Sequence, residues 1–476
     1  MIKNLFEKAA PEAAGINSER IISFIKRLEK AEIDMHSILI MKDDKLICEV
    51  YYSPFEKDTL HRMFSVTKSV VSLCIGILCD EGHIELGDSI TKYFPEYEPE
   101  GGFHPYLCET TIRDMLMMNT PHMGTTFDKH KMDDWVRTYF VKKPSHRPGT
   151  IFSYDTSASH VLAALAEKLS GMSLLDFLRS KGLSELGFSG KAYCLTDGCG
   201  VSQGGSGMMA LPLDLLVLAN LVIKRGSVGG RRIVSEEYLS NALSFKSPTF
   251  VKGSFPAESQ GYGYQFWRVR ENGFMMYGMA GQLAVCFPER NLVLVTTADT
   301  TDRKDGIQQI FDAFIDEIFS HLDEENYYRI DTYTELCGIE ENSSLRPLMN
   351  FETYDMNQTF YFDDGNALGL KSIRIITSRS GGKIIISNLS GKQVIKFGFG
   401  SFMDGKFTAY NCPYTASGTW IGADMLVIKV NLIGEYLGKV MVQLSFRKKG
   451  SLTAFFRKTE EVMFNEYSGC AQSISV

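Results

Sequence analysis

The chain reads as an α+β protein: an antiparallel sheet assembled from both ends of a first domain, a helical domain inserted between them, and a separate all-β domain at the C-terminus. Three observations predict this. A β-hairpin pattern stands near the start, apolar helices fill the middle, and alternating strands closed by an amphipathic helix follow Gly261. Beyond the polar stretch Asp323-Glu324-Glu325-Asn326 only short strand-like runs recur. A chain of 476 residues exceeds what one core usually holds. The division expected is 1–322 and 329–476.

In order, residues 18–30 place Ile21, Phe24, Ile25 and Leu28 on one helical face, with Ser18 as the cap. Strands at 37–41 and 46–52 are joined by the turn Lys42-Asp43-Asp44-Lys45. The run from Val70 to Cys79 is apolar nearly all round, as in a buried helix, and stops at Asp80-Glu81-Gly82. A short helix at 87–96 ends at a proline, and 110–119 reads as a capped helix. Residues 120–150 are rich in loop formers. Helices are expected at 161–169, 174–181 and 211–224, with Gly204-Gly205-Ser206-Gly207 as punctuation. Strands follow at 262–270, 275–278, 282–287 and 292–298, then a helix over 305–322. In the second domain, strands at 383–387, 394–399, 425–431, 440–446 and 452–456 suggest a barrel or sandwich, read as a structural or pocket-covering module.

Composition excludes several function classes. A net charge of −7 offers no general attraction to nucleic acid or anionic membrane. No stretch approaches the ~18 apolar residues of a membrane span, and the first residues lack the apolar core of a secretory signal, so a cytoplasmic location is expected. The ten cysteines are scattered, several in apolar runs, and read as reduced thiols. No Cys-x-x-Cys, His-Glu-x-x-His or Gly-x-Gly-x-x-Gly occurs, so neither metal nor cofactor is expected.

What remains is Ser65-Val66-Thr67-Lys68 at the start of the buried helix. Side chains three apart on a helix are neighbours. A serine there has free N–H groups beside it to stabilise an oxyanion, and a lysine whose amine is neutral part of the time can take its proton.

The order Ser65-x-x-Lys68, Pro148-Gly149-x-x-Phe152-x-Tyr154, then Gly281-Gln282 ahead of Phe287-Pro288-Glu289-Arg290-Asn291-Leu292 resembles the class C β-lactamase-related serine hydrolases. That group includes penicillin-binding proteins, class C esterases, D-amino-acid peptidases and 6-aminohexanoate-oligomer hydrolases. The resemblance spans residues 10–320. It implies a β-lactamase/transpeptidase-like fold, Ser65 as nucleophile, and Lys68 and Tyr154 as its proton-transfer partners. An adjacent ammonium is expected to lower the phenol's pKa. The oxyanion would lie between the main-chain N–H groups of Ser65 and Met279.

Two departures matter. The family's Tyr-x-Asn becomes Tyr154-Asp155-Thr156, where threonine retains one hydroxyl to donate to an acyl carbonyl or accept from Lys68. The Lys-Thr-Gly strand motif, which binds the carboxylate of penicillins in the family, is replaced by Tyr277-Gly278-Met279-Ala280-Gly281-Gln282. That pattern looks more like the 6-aminohexanoate-oligomer hydrolase branch. Gly281, Gln282 and Thr156 are read as substrate-binding positions, and Trp267 either lines the pocket or belongs to the core. His160 is read as structural, and His104, His122, His130 and His146 as solvated loop residues. The function expected is a serine hydrolase that acylates on a small ester or amide. The alternatives are a penicillin-binding protein or β-lactamase, and a non-catalytic binding or sensing protein of the same fold. Oligomeric state is silent.

Overall fold

Residues Asp34–Lys42 are buried along all but their ends, as a central strand must be. In the computed structural model, which describes residues 6–128, 133–250, 255–349, 352–389, 391–447, 450–460 and 463–474, this strand pairs antiparallel with Lys45–Tyr51 on one side and Leu292–Asp299 on the other. The sheet runs Glu7–Lys8, Lys45–Tyr51, Asp34–Lys42, Leu292–Asp299, Gln282–Phe287, Phe274–Gly278, Trp267–Arg268. The early hairpin and the late strands thus meet at its centre. The expected strand over 262–270 shrinks to Trp267–Arg268, because Gln265 adopts φ +64°, which no strand accommodates.

Both faces of the sheet are covered. Leu39, Met41, Ala284, Cys286, Val293 and Val295 share a core with the helices Val66–Asp80 and Pro212–Ile223. From the opposite face Phe287 meets Phe314 at 6.4 Å, and Phe24 of the helix Ser18–Lys30 meets Phe314 of the helix Gly306–Glu317 at 6.0 Å. Ser18 is the first helical residue rather than the cap; the Glu12 carboxylate accepts its N–H at 2.6 Å. The helix Thr156–Ser170 starts five residues before the expected position, because Asp155 caps it by accepting the Ser157 N–H at 2.9 Å.

The chain divides after Ser343 rather than at 323–326: one unit comprises 6–300 and 304–343, the other 301–303 and 344–474. The polar stretch is a strap of the first unit. Arg290 pairs with Asp323 at 2.9 Å, Arg20 with Glu324 at 2.8 Å, and Asn326 donates to the Glu12 carbonyl at 2.6 Å. The next helix, Ile330–Asn342, packs against Ser18–Lys30 and Lys45–Tyr51, where Glu340 accepts the Glu49 N–H at 2.8 Å.

The second unit is a single ten-stranded sheet from Met356–Tyr361 to Gly469–Gln472. Its two edges meet: Phe362 bridges Ser473, and the Ile474 N–H donates to the Tyr361 carbonyl at 2.8 Å. Closure makes it a barrel and removes the open edges. Ile373, Ile384, Ile395, Phe397, Phe407 and Trp420 contribute to its core. Among the described residues no helix is long and apolar enough to cross a membrane.

Candidate active site

Ser65 caps the helix Val66–Asp80. The residue before it, Phe64, has φ +45°, a conformation unfavourable for a bulky side chain. Its carbonyl is held by the Thr67 hydroxyl at 2.6 Å and the Thr67 N–H at 3.0 Å. Lys68, one turn along, is 1% exposed. Its Nζ stands 3.0 Å from Ser65 Oγ, 2.7 Å from the Gly205 carbonyl oxygen and 4.8 Å from the centroid of the Tyr154 ring.

Tyr154 directly precedes the capping Asp155, which is fully buried. The Asp155 carboxylate accepts the Ser157 N–H at 2.9 Å and the Thr120 hydroxyl at 3.0 Å. Burial pushes its pKa up to about 6 against the pull of those bonds. Ser65 and the Trp267 indole lie by the Tyr154 hydroxyl and pull its pKa down. Trp267 stacks on its ring at 5.6 Å, and Tyr262 meets Trp267 edge-on at 5.0 Å. Burial in this aromatic cluster raises the phenol's pKa well above its ordinary value, helped by the charge of Glu258 and opposed by Ser65 and Trp267. The expectation that the neighbouring ammonium leaves it lowered is corrected: desolvation is the largest influence.

Gly204 and Gly205 let the main chain pass between the two helices. A Cβ on Gly205 would lie 2.2 Å from Thr156 Cγ2, and one on Gly204 2.6 Å from the Ser159 carbonyl oxygen. Lys68 therefore finds an acceptor in the Gly205 carbonyl as well as Ser65 Oγ. The run of glycines was the available signal, and it reads only as loop punctuation until the helices are packed.

On the strand side, Gly278 lies against the turn that carries the serine; a Cβ there would be 2.3 Å from the Met63 carbonyl oxygen. The chain then turns through Ala280 at φ +64° and Gly281 at φ +96°. Among the described residues no acceptor takes the main-chain N–H of Ser65 or of Met279. Tyr277 and Met279 are half-buried, two apart at the strand end. Gln282 is fully buried, and its Nε2 donates to the carbonyls of Met279 at 3.0 Å and Ala298 at 2.8 Å. Gly281 faces Ala298 and Ile310, which an added Cβ would approach to 3.0 and 3.2 Å. Reading Gly281 and Gln282 as substrate-facing is thus corrected: they build the turn. Glu258, on Pro256–Gln260, is buried, and the pKa of Tyr277 is raised by desolvation and by the Glu258 charge. A lone glutamate in a loop carries no sequence signal.

His160 is buried with its Nε2 3.1 Å from Asp197. His122 is also buried, not solvated: its Nε2 pairs with the Tyr139 carbonyl at 3.0 Å, and burial lowers its pKa to about 4. His104 caps the helix Pro105–Glu109, His146 pairs with Ser145 at 2.8 Å, and His130 lies outside the described residues. Among the described residues no three His, Cys, Asp or Glu side chains gather as a metal centre would need.

A family model described as Beta-lactamase matches residues 24–313. The 6-aminohexanoate-dimer hydrolase of Paenarthrobacter ureafaciens is 24% identical over 306 residues, covering 60% of this chain and 76% of that protein. Among solved structures, EstCE1, a hydrolase with promiscuous acyltransferase activity, is 16% identical with a TM-score of 0.50, covering 61% of this chain and 98% of that one. SurE with D-Leu is 14% identical with a TM-score of 0.51, covering 96% of this chain and 99% of that one. At such identities the structural likenesses speak to fold alone.

Proposed function

The chain belongs to the Beta-lactamase family, and from that premise we propose that it hydrolyses a small carboxylic ester or amide through an acyl-enzyme on Ser65. The observation that carries this is the contact of Lys68 Nζ with Ser65 Oγ at 3.0 Å in a buried setting. In the amine form, Lys68 keeps an N–H on the Gly205 carbonyl and turns its lone pair to the Ser65 hydroxyl. Ser65 Oγ bonds to the carbonyl carbon as the proton passes to Lys68 and the carbonyl electrons move onto oxygen. The N–H groups of Ser65 and Met279 would hold that oxyanion. Collapse breaks the bond to the leaving group, which takes a proton from the Tyr154 hydroxyl; Tyr154 recovers one from Lys68. Water then attacks the acyl-enzyme with the proton transfers reversed. Trp267 and Tyr277 would flank the acyl or leaving group.

Intact-protein mass after exposure to a fluorophosphonate tests this, for wild type and Ser65→Ala. One adduct mapped to Ser65 and absent from the variant is expected. A folded wild type that takes up no adduct would overturn the reading and favour a non-catalytic binding protein.

A further inference from the structure

Gln265 is a buried residue of the first unit that the proposed proton transfers do not use. It is 2% exposed, yet its backbone is left-handed at φ +64° and its Nε2 has no partner among the described residues. A strained backbone and an unsatisfied amide in one core residue are each unfavourable, and both persist only where the surroundings over-determine them.

Three bonds do so. The Gln265 carbonyl accepts the Ser69 hydroxyl at 2.7 Å. Ser69 follows Ser65 by four on the same helix, so both lie on one face. The Gln265 Oε1 accepts the Ser159 hydroxyl at 3.0 Å, three residues into the helix from Thr156. The Gln265 N–H donates to the Leu116 carbonyl at 3.1 Å. Two residues on, the Met118 carbonyl takes the Ser153 N–H at 2.8 Å, immediately ahead of Tyr154. Trp267, stacked on Tyr154, lies two residues beyond Gln265. One residue therefore joins the helix that carries Ser65, the helix that begins beside Tyr154 and the strand that carries Trp267.

The geometry points to Gln265 as the positioning residue that sets the spacing of Ser65 and Lys68 against Tyr154. This rests on the serine-hydrolase reading above. Left-handed backbone at this position is what glycine adopts freely, so Gln265→Gly removes the side-chain clamp while relieving the backbone. Ser159→Ala removes one end of the same clamp without touching the backbone of Gln265.

The test is the rate of fluorophosphonate labelling of Ser65 across pH, beside the melting temperature. In both variants the rate should fall about tenfold or more, as expected when reacting groups are misplaced by a fraction of an ångström. The midpoint of the pH profile should move by about half a unit or more, because the spacing governs how the groups share a proton. A merely structural role would lower the melting temperature and leave rate and midpoint at wild-type values, and that result overturns the inference. If Gln265→Gly does not fold, Ser159→Ala decides by the same criteria. An unreactive wild type would instead bring down the serine-hydrolase reading itself.

Discussion

Lys68 Nζ stands 4.8 Å from the centroid of the Tyr154 ring while it contacts Ser65 Oγ at 3.0 Å, so the lysine addresses the nucleophile directly and meets the tyrosine over its π face. Burial raises the pKa of the Tyr154 phenol, with Ser65 and Trp267 opposing it, so the phenol is protonated at neutral pH. On the proposed mechanism, Lys68 would accept the serine proton and Tyr154 would supply one to the leaving group.

Tyr154→Phe should therefore lower amide turnover by about 10²- to 10⁴-fold, the usual range for losing a general acid. An aryl ester, whose leaving group departs without a proton, should be affected far less. Steady-state rates on a matched amide and nitrophenyl ester check this. Equal losses on both would mean that Tyr154 acts in the attack step instead.

Gly278→Ala should impair activity more than stability. A Cβ at that position would meet the Met63 carbonyl oxygen at 2.3 Å and drive the end of the strand Phe274–Gly278 away from the serine turn. Displacing Met279 by about 1 Å would cost on the order of 10²-fold in rate. Wild-type turnover in the variant would remove Met279 from the oxyanion site.

Asp155 gives a pH dependence of defined sign. Its carboxyl moves from a usual 3.8 to about 6 on folding. The folded state thus holds this proton more tightly than the unfolded chain, and the associated stability is full below about pH 4 and lost as pH rises through 6. Asp155→Asn abolishes that slope. The difference in unfolding free energy between wild type and variant should change by on the order of 2 kcal/mol between pH 4 and 7, with wild type losing ground as pH rises. Parallel urea midpoints at the two ends would exclude a titrating Asp155.

Penicillins should acylate Ser65 about 10- to 100-fold less efficiently than in a relative with a cationic strand motif, the cost of one missing charge-assisted pair. Tyr277 occupies that region, and the charge of buried Glu258 acts on it. Glu258→Gln should narrow the gap between penicillin and a neutral ester. Efficient wild-type acylation by benzylpenicillin would restore the penicillin-binding alternative.

Read without coordinates, the chain discloses what depends on neighbours along it. The hairpin, the apolar run after Ser65 and the face of Phe24, Ile25 and Leu28 follow from periodicity, since each element must bury its own apolar side. Ser65 and Lys68 are legible for the same reason: a spacing of three is adjacency on a helix. Polarity misleads where tertiary partners exist. Asp323-Glu324-Glu325-Asn326 looks like a linker and is a strap tied by Arg20 and Arg290. Packing alone decided that the Gly205 carbonyl faces Lys68, that Gln282 braces a turn instead of a substrate, and that Glu258 comes to lie beside Tyr277. These contacts join residues far apart in the chain, and the free energy that selects them comes from burial and hydrogen bonding after the helices and sheet have closed, where no local pattern records it.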